Sequence, residues 1–187
     1  MFVIDSSNSV TPEDFTEARN LIYKFTNQLS ISVNNSIGII NVGTEAIVHQ
    51  RLGIILNSQA NKNKILEMVN ETHHLREFTN TADGLCKLRN QDWRNDSGVL
   101  RLAIVLTDGM SNYVSEDCGR NSTRKMASLI RMESRILVFA VGIGQRVNTD
   151  ELSLIASRSH LATKLKTYDE LDSFNGILHY QICSTCT

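Results

Sequence analysis

Apolar runs of strand length alternate with helical patterns along almost the whole of this 187-residue chain, and that alternation restricts the architecture to a sheet layered with helices. Met1-Phe2-Val3-Ile4, Ile37 to Val42, Ala46 to Arg51, Arg101 to Thr107, Arg135 to Val141 and Ala162 to Lys166 read as strands. The longest apolar run, Ile136 to Ile143, suits a strand buried on both faces. The first helix is the most sharply marked. Thr11 is placed as its N-cap, Pro12 fits the first helical position, and Asp14 completes a capping-type spacing. Phe15, Ala18, Ile22, Phe25 and Leu29 then recur at three- and four-residue steps, which gives one buried face. Asn63 to Glu71, Ala82 to Gln91, Ser122 to Met132, Asp150 to Ser157 and Tyr168 to Tyr180 read as further helices. Gly43-Thr44-Glu45 is a short hairpin connection, so Ala46 to Arg51 becomes an antiparallel edge. The pattern predicts a doubly wound α/β fold: a mainly parallel six-stranded sheet with one antiparallel edge strand and helices on both faces. No repeat, linker or low-complexity stretch divides it, so residues 1–187 are read as one domain. A strand at the very terminus lacks residues to extend its pairing, which predicts that this domain is a fragment of a longer chain.

Charge and hydropathy narrow the partners. A net charge of −1 gives no basic excess of the kind nucleic-acid binders carry. No apolar run approaches the roughly 18 residues a membrane helix needs, so membrane insertion is not expected. Apolar content of 41% and charged content of 21% are those of a soluble globular protein.

An oxygen-rich cluster closes the first strand. Val3-Ile4 runs into Asp5-Ser6-Ser7-Asn8-Ser9, an Asp-x-Ser-x-Ser pattern that puts a carboxylate and two hydroxyls at a strand's C-terminal end. Oxygen ligands suit hard cations such as Mg2+. Phe78-Thr79-Asn80-Thr81 opens a helix with a hydroxyl, and Ile104-Val105-Leu106-Thr107-Asp108-Gly109 ends a second apolar strand on another carboxylate. In open α/β sheets ligands bind beyond the carboxyl ends of the strands, so the three segments are expected to converge at one edge. Any one of them alone is ordinary turn chemistry, since Asp and Ser crowd turns.

Together the three segments resemble the von Willebrand factor type A domain, also called the integrin inserted domain, over nearly the whole chain. The family's metal-ion-dependent adhesion site is Asp-x-Ser-x-Ser, a distant Thr and a distant Asp, which correspond here to Asp5, Ser7, Ser9, Thr79 and Asp108. Asn8 stands where the family often has Gly; Asn tolerates the left-handed conformation better than most residues. Leu75-Arg76-Glu77-Phe78 precede Thr79 without the Gly-Gly that many members carry. The resemblance implies a bound Mg2+ or Mn2+ whose coordination is completed by a Glu or Asp of another protein. Ser7, Ser9 and Thr79 would be direct ligands in the bound state, and Asp5 and Asp108 would bind directly or through water. Asn8, Asn80, Thr81 and Gly109 would shape the ligand-binding loops. In inserted domains of integrins the closing helix shifts along its axis. Leu171, Phe174, Leu178 and Ile182 give this chain such a helix with one apolar face, which is also the pattern of plain core packing, the reading preferred here.

Four cysteines, Cys86, Cys118, Cys183 and Cys186, allow three connectivities. Cys86 with Cys118 is the preferred pair, because both follow metal-site segments that the resemblance brings close together. Cys183-Ser184-Thr185-Cys186 has the spacing of a redox or zinc pair, but no second pair or His stands at ligand spacing. It reads as a structural pair, or as one partner bonded outside this segment. Acceptor triplets for N-glycosylation at Asn34, Asn70, Asn95 and Asn121 lean toward an extracellular glycoprotein, and the cysteine pairing and compact loops toward a secreted matrix protein over an integrin chain.

Other features carry plainer readings. Arg120, Arg124, Lys125, Arg131 and Arg135 form either a patch for sulfated glycans or acidic proteins or a solvated helix face, the latter preferred. His73-His74 is read as surface, because neighbours on a helix point different ways. Gly142-Ile143-Gly144 lacks the third glycine of a dinucleotide turn, and Trp93 is read as capping the third helix against the core. Three functions compete. The leading one is a non-enzymatic adhesion or extracellular-matrix-binding module, whose cation captures an acidic side chain of collagen, another protein, or a neighbouring domain of the same chain. The alternative is a structural matrix-assembly domain that acts through its outer faces or disulfides, with the metal only stabilising. Phosphoryl transfer is weakest, because the three segments offer no Lys or Arg between the ligands.

Overall fold

A computed structural model of the chain describes residues 1–94, 98–109, 111–112 and 122–185. Six strands form one sheet: β1 (Phe2–Asp5), β2 (Ile39–Val42), β3 (Ala46–Gln50), β4 (Leu102–Thr107), β5 (Leu137–Ile143) and β6 (Ala162–Leu165). Their spatial order is β3-β2-β1-β4-β5-β6. All pairings are parallel except β2 with β3, so the expected mainly parallel sheet with an antiparallel edge strand is borne out. The helices are α1 (Pro12–Gln28), α2 (Gln59–Asn70), α3 (Thr81–Arg89), α4 (Thr123–Leu129), α5 (Thr149–Ile155) and α6 (Leu171–Thr185). α1 packs with α2 and α6, while in a second layer α4 packs with both α3 and α5.

The strand order follows from burial. β1 and β4 are apolar along their length and sit at the centre, with Val3, Ile4, Ala103, Ile104 and Val105 all buried. β3 lies at the edge, buried at its two ends, Ala46 and Gln50, and partly or fully exposed at the three residues between. Helix starts are capped from the chain itself. The hydroxyl of Thr11 accepts the Asp14 N–H at 3.1 Å, and that of Ser58 accepts the Asn61 N–H at 3.2 Å. α3 lies close on the sheet at Gly84, where an added Cβ would come 2.6 Å from Val42 Cγ2.

Several boundaries differ from the sequence expectation, each for a local reason. α2 begins at Gln59 rather than Asn63, because Ser58 caps a first turn whose one apolar residue, Ala60, is exposed and sets no periodicity. Within that turn Lys62 is buried, its ammonium donating to the carbonyls of Asn27 and Leu29 at the C-terminal end of α1. β5 begins at Leu137 rather than Arg135. A π-turn over Ile130–Ser134 follows α4, and Arg135 closes it in the left-handed region at φ 50°. α6 starts at Leu171 after a 3-10 turn over Tyr168–Glu170 and runs on to Thr185. Trp93 does cap the third helix: its indole N–H donates to the Leu88 carbonyl at 2.9 Å.

Among the described residues no helix is long and apolar enough to cross a membrane. Cys86 is disulfide-bonded. The expected pairing with Cys118, and the Cys183–Cys186 alternative, lie outside the described residues. Asn34 and Asn70 are exposed, whereas Asn95 and Asn121 lie outside the described residues. Of the basic group, Arg124, Lys125 and Arg135 are exposed, and Arg131 donates to the Leu154 and Ala156 carbonyls at the end of α5. Arg120 lies outside the described residues.

Candidate functional site

β1 and β4 are neighbours, with Ile4 in register with Leu106, so the residues following both strands emerge side by side at the carboxyl edge of the sheet. Asp5 closes β1 and is buried. Its Oδ1 accepts the Ser7 N–H at 3.0 Å, an Asx-type turn, and its Oδ2 accepts the Thr107 hydroxyl at 3.0 Å. From that turn a chain of oxygens crosses the edge. Ser7 Oγ and Ser9 Oγ are 2.9 Å apart, and Ser9 donates to Asp108 Oδ1 at 2.9 Å. Four of the five candidate ligands therefore meet in one hydrogen-bonded group.

Thr79 reaches the same edge by a different route. Residues 73–77 dock beside the β1 loop: Leu75 N–H donates to Ser6 Oγ, Arg76 N–H to the Ser6 carbonyl, and Asn8 N–H to the Glu77 carbonyl. Ser7 and Glu77 pair as a parallel bridge, which carries Thr79 toward the serines. Thr79 is buried, and its described hydrogen bonds all run through its backbone. Its N–H donates to Asn112 Oδ1 at 2.9 Å, and its carbonyl accepts from Asn112 N–H at 3.0 Å and Ser111 Oγ at 3.3 Å. The hydroxyl is thus left uncommitted among the described residues. Asn80 caps α3 by accepting the Asp83 N–H and also donates to the Thr44 carbonyl, while Thr81 N–H donates to Ser111 Oγ.

The expected left-handed residue is elsewhere. Neither Asn8 nor Gly109 has positive φ, and a Cβ on Gly109 would meet nothing within 4 Å. Arg76 has φ 59°, in the segment where the family's glycines were missed. The backbone thus retains a left-handed turn there without a glycine to relieve it.

Six residues of the site carried no usable sequence signal or were read otherwise. Thr107 was counted only as strand, although its hydroxyl holds Asp5. Asn112 and Ser111 sit in a loop with no motif, and Glu151 steadies that loop by accepting the Ser111 N–H at 3.3 Å. His74 is off the helix, half-buried, stacked on Phe15 at 4.9 Å and paired with the Ser7 carbonyl at 3.0 Å, which corrects its surface reading. Arg146, from the loop after β5, reaches Asp108 Oδ2 at 3.5 Å and the Ser9 carbonyl at 3.4 Å. The three motif segments offer no Lys or Arg between the ligands, and it is this fourth segment that stands a cation beside them.

The electrostatics are those of crowded, buried carboxylates. Burial pushes the Asp5 carboxyl up from its ordinary range, against the Ser7 hydrogen bond, and the Asp108 charge pushes the same way. Burial also raises Asp108, against hydrogen bonding from Ser9 and the charge of Arg146. Tyr168 lies buried within their field, its hydroxyl pushed up first by burial and then by Asp108 and Asp5. Two carboxylates raised by burial are what a divalent cation would neutralise, and the surrounding hydroxyls match the oxygen preference of hard ions. Among the described residues no cluster of three or more His, Cys, Asp or Glu that could hold a metal ion forms.

The family model for the von Willebrand factor type A domain matches residues 1–177. The collagen alpha-6(VI) chain of Mus musculus is 22% identical over 191 residues, covering 99% of this chain and 8% of its own. Matrilin-1 of Gallus gallus is 29% identical over 162 residues, covering 84% of this chain and 30% of its own. The chain therefore spans less than a third of either relative. Among solved structures, proximal thread matrix protein 1 from the mussel byssus superposes with a TM-score of 0.80 at 21% identity, over 97% of this chain and 44% of that one. A second structure of that protein, with a zinc-occupied MIDAS motif, gives 0.79 at 18% identity, over 94% and 46%.

Proposed function

The chain belongs to the von Willebrand factor type A domain family, and we propose that it is a non-catalytic matrix-binding module that captures an acidic side chain of a partner through a divalent cation. The observation that carries this is the single hydrogen-bonded group of Asp5, Ser7, Ser9 and Asp108 at the sheet's carboxyl edge. Ser7, Ser9 and Thr79 would hold Mg2+ or Mn2+ directly, and Asp5 and Asp108 directly or through water. The cation would supply an open coordination position for one anionic oxygen.

The chain's own residues do the rest. Thr107 and the Ser7 N–H hold both Asp5 oxygens, so this carboxylate is oriented before any ligand arrives. Asn112 grips Thr79 on both sides of its backbone and leaves its hydroxyl for coordination. Asn8, Asn80, Thr81 and Gly109 form the loops around these groups. The site's hydroxyls belong to the ligand group rather than standing free as nucleophiles, which supports a binding role over a reaction. The similarity to collagen and matrilin chains supports an extracellular matrix partner, collagen among them, and a secreted location.

The test is calorimetric titration of Mg2+ and Mn2+ into the chelator-stripped domain, beside Thr79→Ala and Asp5→Ala. Thr79→Ala keeps every described backbone hydrogen bond, so it should fold. Saturable one-site binding that both variants weaken, together with collagen capture abolished by chelation, is the expected result. No binding by the wild-type domain would sink the metal-dependent reading, and capture that survives chelation would favour matrix assembly through the outer faces.

A further inference from the structure

Resting on that reading, we infer that Arg146 is a second anchor for the partner's carboxylate, so that the cation takes one oxygen and the guanidinium the other. The loop that carries Arg146 is built to hold its backbone still. Gly144 turns the chain at φ 99°, and the next apolar residue, Val147, is buried against Gly142, where an added Cβ would come 2.4 Å from Val147 Cγ1. Asn148 then caps α5, accepting the N–H groups of Asp150 and Glu151. Between these fixed points the side chain of Arg146 is 71% exposed and leans over the edge of the oxygen cluster.

Its contacts there are incomplete. One guanidinium nitrogen serves both Asp108 Oδ2 and the Ser9 carbonyl, at 3.5 and 3.4 Å, each near the limit of a hydrogen bond. A guanidinium carries five N–H donors in a planar fork. Those remaining have no protein partner among the described residues, directly beside the carboxylate that would hold the cation. A fork with spare donors next to an open coordination position matches the two oxygens of a carboxylate.

Charge completes the argument. The two ligand carboxylates with Arg146 alone leave the site net negative, which repels an acidic partner. A divalent cation cancels the carboxylates, and Arg146 then leaves one positive charge for an incoming anion. Asp14, whose charge is also felt at Asp108, draws the balance back toward neutral and makes the arginine matter more. The same charge must oppose the cation. Arg146 therefore weakens metal binding and strengthens capture of the acid, a split that a purely structural residue would not produce.

The experiment titrates Mn2+ into the chelator-stripped wild type, Arg146→Ala and Arg146→Lys. Acetate is then titrated into each Mn2+-loaded domain, and displacement of metal-bound water is followed by proton relaxation. Arg146→Ala should bind Mn2+ roughly 3- to 10-fold more tightly, from removal of one like charge several ångströms away across partly solvated surroundings. Its loaded form should bind acetate about 5- to 10-fold more weakly, the loss of one exposed charge-assisted contact. Arg146→Lys should match the wild type in Mn2+ affinity and fall between the two for acetate. Mn2+ affinity that is unchanged or lower in Arg146→Ala, or acetate affinity that is unchanged, overturns the anchor alone. Absence of saturable Mn2+ binding in the wild type overturns the anchor and the metal reading together.

Discussion

Replacing Gly84 by Ala should destabilise the domain, although alanine is the better helix former. Gly84 lies in α3, where an added Cβ would stand 2.6 Å from Val42 Cγ2 and 3.3 Å from Val3 Cγ1. Both valines are buried in adjacent parallel strands, so neither can swing into solvent. Carbon atoms sit comfortably at about 3.5–4.0 Å, so α3 must retreat by about 1 Å or the valine must leave its rotamer. Overpacking of this kind costs about 1–3 kcal/mol, against about 0.5–1 kcal/mol gained from the higher helix propensity of Ala. The balance is a net loss of up to about 2.5 kcal/mol, centred near 1 kcal/mol, which at that centre is about 2–4 °C in Tm for a domain of this size. The consequence reaches the site, because Asn80 caps this helix and Thr79 precedes it, so the retreat should also weaken Mn2+ binding. Urea denaturation of Gly84→Ala, Val42→Ala and the double variant forms a cycle that isolates the contact. Val42→Ala removes the clashing methyl, so the two penalties should add to more than the double variant shows, by about 1 kcal/mol. A Gly84→Ala domain as stable as the wild type, or strictly additive penalties, would refute the close-approach argument.

Arg76→Gly should stabilise. A non-glycine residue in the left-handed region costs about 1–2 kcal/mol, and glycine's greater entropy loss on folding returns about 0.5–1 kcal/mol of that. A rise of a few degrees in thermal denaturation is expected, and a fall would show that the Arg76 side chain contributes more than its backbone costs. Acidification should act oppositely on the metal-free and metal-loaded domains. Asp5 and Asp108 have folded pKa values raised above their unfolded ones, so the folded metal-free state binds extra protons between the two. Their protonation therefore adds stability that is fully present below the unfolded pKa of about 3.9 and is lost as pH rises through the folded values. A cation needs the ionised forms, so the Tm increase produced by Mn2+ should shrink as pH falls through the same window. A Tm increase that stays constant across that range would contradict carboxylate coordination.

The order of elements was legible because it is written in short-range chemistry. Phe15, Ala18, Ile22 and Phe25 announce α1 by their spacing, Thr11 and Pro12 mark its start, and the apolar run of β4 marks it as a buried, central strand. Asp5, Ser7 and Ser9 share one turn, and Asp108 follows a strand whose carboxyl end any parallel sheet puts at the same edge as that of β1. Proximity along the chain, or along one strand edge, is enough to bring these groups into view. Boundaries without such marks were missed, as at Ser58, where a first turn with no buried apolar residue hides the start of α2.

What folding alone settles is which distant residues share that edge. Thr107 holds Asp5 across 102 positions, Asn112 grips Thr79 across 33, and Arg146 meets Asp108 across 38. None of these pairs has a periodicity or spacing that would reveal it, because their distance is set by the strand order β1-β4-β5 and by where each loop leaves the sheet. The left-handed turn at Arg76 is equally a product of the whole fold. The docking of residues 73–77 against Ser6 and Asn8 imposes that φ on an arginine whose own preference lies elsewhere. Local pattern thus marks the elements and most of the oxygens, while the packing of the sheet selects the arginine that stands over them.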